Sequence, residues 1–272
     1  MSTASVPDIH STRLDPVAVP RLVDALRAEW IKLSSLRSTW WTLGATVGLG
    51  AGLTVLLCAV NADWLASGEA DESPGSFITW GMMIAQICAV VLGALCVTSE
   101  YGTRTIASTI AAVPSRGTVM LAKSVLVATL MVVVGTATAL LGYLGGNYFL
   151  TRAGVGMPLE GDVLRSMYGS GLFLMCIALL SVAVGFIARH TAGTITLVLA
   201  VILILGNMVM MVPGAFGDWL AKLMPGNAGQ AISSPVPFNP ELLSAWTGLA
   251  VLIAEVTVML GVAWALVRRR DV

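Results

Sequence analysis

Six long stretches with almost no charged side chains set what this 272-residue chain can fold into. A helix needs about 20 apolar residues to cross about 30 Å of hydrocarbon. Helices also pair their own backbone N–H and C=O groups, and the apolar pattern is not that of barrel strands. The sequence therefore predicts an all-α membrane protein with six transmembrane helices, at about residues 39–61, 77–99, 121–146, 166–188, 192–212 and 244–267.

The composition agrees with this class and argues against several others. Hydrophobic residues make up 57% of the chain and charged residues only 11%, whereas soluble domains average about 25% charged residues. The four cysteines lie in apolar runs and the two histidines are far apart, so we expect neither a disulfide framework nor a metal site. Nucleic acid is not an expected partner.

The positive charges predict the orientation of the chain. Of the fifteen Lys and Arg residues, only Arg152, Arg165 and Lys222 fall in the first, third and fifth loops, which leaves twelve on the other side. Cytoplasmic loops carry the excess of Lys and Arg, so both termini are predicted to be cytoplasmic. The chain then divides into a flexible N-terminus (1–18), an amphipathic interfacial helix (19–37) and a six-span domain (38–272).

The interfacial helix is predicted from apolar residues at helical spacing before the first span. Trp30 suits the headgroup region, and Lys32 lies on the polar side. Glu29 is the exception, because its helical angle puts it near the middle of the apolar stripe. It either extends its carboxylate to the surface or pairs with a basic residue of another segment. The apolar positions are Leu22, Leu26, Trp30, Leu33 and Leu36.

A second amphipathic segment follows the second span, in "SEYGTRTIASTIAAVPSRGTVMLAK". It has one apolar edge, and Pro114 ends its helix before Arg116 and Lys123 lead back into the bilayer. Glu100 is placed to pair with Arg104 one turn later. We therefore expect a short cytoplasmic helix under the membrane between spans 2 and 3. Its apolar edge is Ile106, Ile110 and Val113.

Sequence motifs for catalysis are missing. "GTVMLAKS" differs from a phosphate-binding P-loop, because Ala122 stands where the glycine before lysine must be, and a membrane helix follows. No paired carboxylates, Gly-x-Ser-x-Gly or His-Glu-x-x-His occurs either. We expect a non-catalytic protein that holds no cofactor of its own.

Two sets of intramembrane residues are candidates for special roles. Gly44, Gly48 and Gly52 form a small-residue stripe, which either packs within the chain or forms the face of a dimer. Glu255 is a carboxylate inside a span, where acids are costly and often functional. It either binds a cationic substrate or forms an interhelical hydrogen bond, and a bond to Gln86 or Asn207 is favoured.

The remaining signals concern helix continuity and the largest outer loop. No proline falls within the predicted spans, which argues against the broken helices that many secondary transporters use for ion sites. The loop from Met211 to Glu241 begins with an amphipathic piece. We expect short helices there that dip into the outer leaflet and form an external gate.

Three segments carry a resemblance to a known family. They are "RAEWIKLSSLRSTWWTL" before the first span, "SEYGTRTIASTIAAVPSRGTVMLAK" after the second, and "LMPGNAGQAI" with "RRRDV" around the sixth. Together they resemble the permease subunits of ATP-binding-cassette (ABC) transporters of the type 2 export family, in the six-span form common in actinobacteria.

This resemblance implies the permease subunit of an ATP-driven exporter in a bacterial plasma membrane. Two permease chains would pair, as a homodimer, and each would dock a cytoplasmic ATPase subunit that holds ATP and Mg²⁺. The segment after span 2 would be the coupling helix, and the interfacial helix would also touch the ATPase. The coupling residues carried over by position are Glu100, Tyr101, Thr103, Thr105, Ile106, Pro114 and Arg116.

This chain departs from the family pattern at two positions. Basic residues are expected near Ala107 and at Ser115, and Arg104 would replace part of that charge. The apolar span interface suits a lipophilic or amphipathic compound, and membrane lipid is the remaining partner. Two alternatives stay open: an ion-coupled secondary transporter or channel, and a non-transporting membrane scaffold or sensor.

Overall fold

A computed structural model describes residues 21–103, 116–236, 239 and 242–269, and Arg116 by its backbone alone. All regular structure in this part of the chain is helical, and a π-helix (Ala200–Leu205) lies between α7 and α8. The α-helices are α1 Leu22–Ser35, α2 Arg37–Ala66, α3 Pro74–Phe77, α4 Met82–Gly102, α5 Arg116–Arg152, α6 Gly161–Ala188, α7 Thr191–Leu199, α8 Gly206–Val209, α9 Ala215–Lys222, α10 Pro225–Ser233 and α11 Ala245–Arg269.

Within the described residues, six helical segments are long and apolar enough to cross a membrane, as predicted. Their observed ends differ from the predicted ends by a few residues, mainly because the helices continue beyond the hydrocarbon length. The chain is therefore a multi-pass membrane protein with an all-helical fold. The segments are Arg37–Ala66, Pro74–Gly102, Gly117–Arg152, Gly161–Ala188, Thr191–Val209 and Ala245–Arg269.

Helices α4 and α6 form the centre of the bundle. In their most apolar windows 67% and 72% of residues are buried, against 22% in α2 and in α11. The Ser181 hydroxyl of α6 donates a hydrogen bond to the Val90 carbonyl of α4 at 2.7 Å. Helix α5 packs against α2 and α6, and α11 packs against α6 and α10. Because α2 and α11 bury so little, most of their apolar surface is left for lipid or a partner.

Two spans are irregular although neither contains an internal proline. The second span turns between α3 and α4, where Gly81 lies against the backbone of Gly50 in α2. There the Gly81 N–H donates to the Thr54 hydroxyl oxygen at 3.1 Å. The fifth span contains the π-helix. A lack of internal proline therefore does not make these two spans regular, because close packing and a π-bulge also perturb a helix.

The stripe of Gly44, Gly48 and Gly52 is not used for packing inside the chain. A Cβ atom built at any of the three would meet no heavy atom within 4 Å. The close approach is made instead by Gly50, on the opposite face of α2. The described residues therefore give the intrachain interpretation of the stripe no support, and the dimer interpretation stays a prediction.

The predicted short helices after the fifth span are α9 and α10. Helix α9 exposes Phe216 and Trp219, whereas α10 is buried within the protein. The Arg165 guanidinium donates to the carbonyls of Ala231 at 2.9 Å and Ser234 at 3.2 Å, at the carboxyl end of α10. Near its other end, the Asn227 amide donates to the Gly206 and Ala221 carbonyls, each at 3.1 Å. Helix α10 is thus held at both ends.

We predict that Gly81→Ala destabilises the bundle, since the added methyl would collide with the Gly50 carbonyl. Overpacking of this kind costs about 1–3 kcal/mol or more. The matched control is Gly44→Ala, whose methyl enters open space and which should gain up to about 1 kcal/mol of helix propensity. Unfolding of both variants in mixed micelles by dodecyl sulfate titration measures the difference. Equal midpoints would contradict the Gly50–Gly81 contact.

Candidate functional site

Helix α1 packs on the bundle through a face centred on a carboxylate. Ala25, Glu29 and Leu33 recur every fourth residue and are buried, and α1 contacts α5 and α2. Glu29 is only 3% exposed, whereas Trp30 is 46% exposed. The structure therefore decides between the two alternatives for Glu29: its side chain points into the protein and pairs with residues of other segments.

The partners of Glu29 form a cluster of four charged side chains, Glu29, Lys32, Glu100 and Lys123, which we call the charge cluster. Lys123 of α5 donates to Glu29 Oε2 at 2.6 Å and to Glu100 Oε1 at 2.8 Å. Lys32 donates to Glu29 Oε1 at 2.8 Å and to Glu100 Oε1 at 2.9 Å. Lys123 also reaches the Cys96 carbonyl of α4 at 3.1 Å. Helices α1, α4 and α5 are thereby joined at one point.

The charge cluster is balanced, and three of its four members are buried, whereas the Lys32 side chain is 40% exposed. Two carboxylates face two ammonium groups, and Lys123 is 1% exposed and Glu100 8% exposed. Burying an ion costs several kcal/mol unless close partners compensate for the lost water. Each of the four groups therefore depends on the others. Helix α1 cannot leave the bundle without exposing Lys123 and Glu100 or leaving them short of a partner.

The two lysines do not provide hydrogen bonds to both carboxylate oxygens of Glu100. Its Oε2 atom is buried and has no hydrogen-bond partner in the described part of the chain. The next residue, Tyr101, lies under the Arg189 guanidinium, with Cζ 5.2 Å from the ring centroid. Arg189 adopts a left-handed backbone conformation at φ 56°, where α6 ends. This end of the bundle thus also holds the junction between α6 and α7.

The coupling residues of the sequence analysis are only partly covered by the structure. Glu100 bonds to Lys32 and Lys123, and the Thr103 hydroxyl donates to the Ser99 carbonyl at 2.9 Å. The pairing of Glu100 with Arg104 is not tested. The other predicted residues Arg104, Thr105, Ile106, Ile110 and Pro114, and the side chain of Arg116, lie outside the described residues.

The polar residues predicted within the spans separate into two places. Gln86 and Asn207 line one cavity of about 320 Å³ at the opposite end of the bundle from the charge cluster. Glu255 does not line it, and its buried Oε2 has no hydrogen-bond partner among the described residues. Asn207 donates instead to the Leu203 carbonyl at 2.7 Å. The favoured hydrogen bond from Glu255 to Gln86 or Asn207 is therefore not formed.

The sequence reasoning missed the role of Lys123. The sequence pattern places it only as a basic residue that leads back into the bilayer, yet it is the most enclosed member of the charge cluster. Two signals pointed to the pairing. Lys123 falls inside a predicted span, and Glu29 falls inside a predicted apolar stripe, so each needed an opposite charge. The sequence did not show which charged residues pair, because 94 residues separate Glu29 from Lys123.

No family model matches this chain, and no curated protein matches it. Among the described residues, no group of three or more His, Cys, Asp or Glu is placed to hold a metal ion.

We predict that Lys123→Met destabilises the protein by about 3–5 kcal/mol, because it leaves two buried carboxylates with one ammonium group. The double variant Glu29→Gln/Lys123→Met restores the balance of charge and should recover part of the loss. Dodecyl sulfate titration of the purified proteins measures both changes. Lys222→Met is the control, since Lys222 contacts the ring of Trp219 far from the charge cluster.

A simple additive loss in the double variant would contradict the coupling of Glu29 to Lys123. So would equal midpoints for Lys123→Met and Lys222→Met.

Proposed function

We propose that this protein is the permease subunit of an ATP-driven exporter of the type 2 ABC family, in a bacterial plasma membrane with both termini in the cytoplasm. The observation that carries the proposal is the charge cluster. It ties the helix before the first span to both flanks of the segment 104–115, which is where the resemblance puts the docking site of an ATPase.

The charge cluster suits a mechanical role. Glu100 lies four residues before residue 104, and Lys123 lies eight residues after residue 115. A partner that moves segment 104–115 therefore pulls on two spans, α4 and α5, whose ends are bonded to each other. It also pulls on α1 through Glu29. The three helices would move as one unit rather than separately, as needed to switch between two packings.

The energy source lies outside this chain under the proposal. The partner ATPase holds ATP and Mg²⁺ and supplies the free energy, and the permease transmits the movement and forms the pathway. The exposed faces of α2 and α11 leave room for a second permease chain, and the unoccupied glycine stripe on α2 supports a homodimer. The transported compound would be lipophilic or amphipathic.

The first test is docking of the ATPase. Ile106→Asp puts a charge on the apolar edge and should abolish co-purification of the permease with its ATPase subunit, which the proposal expects to be encoded beside it. Arg116→Ala should weaken co-purification and lower ATP hydrolysis by the complex. Arg152→Ala, at the far end of α5, removes a charge from the other side of the membrane and is the control.

If all three variants behave like the wild type, the assignment of the coupling segment is wrong. Flux that follows an ion gradient without any ATPase would instead identify a secondary transporter or channel, and a complete lack of flux would identify a scaffold or sensor.

A second test concerns Glu255. Because no described residue provides a hydrogen-bond partner for its Oε2, the interhelical role loses support and cation binding can be tested directly. Under that role, Glu255→Gln should reduce ATP-dependent efflux of cationic compounds at least tenfold while efflux of neutral compounds is unchanged. Asn61→Leu, a loss of a polar group in α2, is the control. Full transport with unchanged substrate preference would exclude cation binding.

A further inference from the structure

The cavity of about 320 Å³ lies about 20 Å from the charge cluster, since Gln86 precedes Glu100 by 14 residues of helix at 1.5 Å each. Its walls come from the turn between α3 and α4, the fifth span and α10. One part of the wall is apolar and includes Trp80, Met83 and Phe173. The polar part is formed by amides and hydroxyls and includes Thr79, Gln86, Asn207, Asn227, Gln230 and Ser233.

The described lining contains no Asp, Glu, Lys, Arg or His. A charged group placed there would find no opposite charge among the described lining residues, and burying a charge without a partner is costly. Carboxamides both donate and accept hydrogen bonds, and hydroxyls do the same. The lining therefore matches a ligand group that is uncharged and rich in hydroxyl or amide functions.

Gln86 is the clearest sign that the cavity is built for a ligand. The residue is 6% exposed and its side chain lines the cavity. Buried amides are nearly always hydrogen-bonded, because an unsatisfied one costs about 1–3 kcal/mol. An amide left open toward a cavity can bond to whatever enters it.

The backbone segments around the cavity depart from regular α-helix, and hydrogen bonds fix the position of α10. Thr79 and Trp80 lie in the turn that interrupts the second span, and Ile202 lies in the π-helix of the fifth span. Single π-turns inside α-helices occur frequently at functional sites. Helix α10, which forms the inner wall, is held at its ends by Arg165 and Asn227. The site is thus preorganised, which lowers the entropy lost on binding.

We propose that this cavity binds the uncharged, hydroxyl- or amide-rich head group of an amphipathic compound, with the apolar part of the compound against the methionine and aromatic wall. The identification of that compound as the transported substrate rests on the proposed function. The binding of the compound to the cavity does not depend on the proposed function. At about 320 Å³ the cavity is at the small end of ligand sites, so it suits one sugar-sized group.

A neighbouring cavity provides the contrast. It has a volume of about 380 Å³, is bordered by Asp218 and Lys222, and shares Met210, Asn239 and Leu242 with the first cavity. A charged head group would bind beside those two residues instead. The location of a bound compound therefore reports the charge of its head group.

The test uses the full chain in nanodiscs without ATP or ATPase. The probe is octyl glucoside with a photoreactive diazirine on its alkyl chain, and labelled peptides are identified by mass spectrometry. We expect labelling of α4, the π-helix and α10, competed by octyl glucoside but at least tenfold more weakly by octyl phosphate and octyltrimethylammonium. Gln86→Leu should raise the dissociation constant about tenfold, as the loss of one or two hydrogen bonds would.

Two further variants keep the test decisive. Gln230→Leu should also weaken binding, which covers the case that Gln86→Leu does not fold. Asn61→Leu removes an amide that is bonded to the Leu57 carbonyl in α2, away from the cavity, and should bind like the wild type. Equal competition by the charged octyl compounds, unchanged affinity in both glutamine variants, or labelling only elsewhere would overturn the proposal.

The outcome is separable from that of the proposed function. Failure of the glucoside to bind leaves the docking of an ATPase untouched, and failure of the ATPase to dock leaves the binding result untouched.

Discussion

The buried ion pairing of Lys123 with Glu29 and Glu100 is the interaction on which one end of this protein depends. An ammonium group at 1% exposure can be kept charged there only because two carboxylates lie at 2.6 and 2.8 Å. That requirement holds α1 against α5 and joins α4 to both. Hydrophobic contact alone would let an amphipathic helix slide along the bundle, whereas a buried charge permits a single position.

The two ends of the bundle contain different kinds of polar side chain. At one end, opposite charges are concentrated and bonded to one another. At the other end, uncharged amides and hydroxyls surround a cavity, and the spans beside it depart from regular α-helix at residues 78–81 and 200–205. Helices α4 and α5 connect the two ends directly. A movement imposed at the charge cluster would therefore reach the cavity through continuous helix, and through α4 in particular, because Glu100 and Gln86 lie on the same element.

Much of the architecture was predictable because the hydrocarbon core restricts a chain to helices of sufficient length. All six spans were predicted near their observed positions, and so were a helix before the first span and short helices after the fifth span. The details that the sequence did not predict depend on contacts between segments that are distant in the sequence. The glycine stripe has the right spacing for helix packing, yet the close approach occurs at Gly50 and Gly81. Proline content did not reveal the π-helix, since a π-turn needs no proline.

By itself, the sequence determined that the chain has six segments long and apolar enough to cross a membrane, and it placed Glu29 in an apolar stripe and Lys123 inside a predicted span without deciding how either charge is compensated. The tertiary structure decided which charges meet, that Gln86 and Asn207 face a common cavity, and that Glu255 joins neither group. The physical reason is one of range. Hydropathy and helical spacing act over one or two turns, whereas a partner 94 residues away is selected only when the packed helices bring the two side chains together.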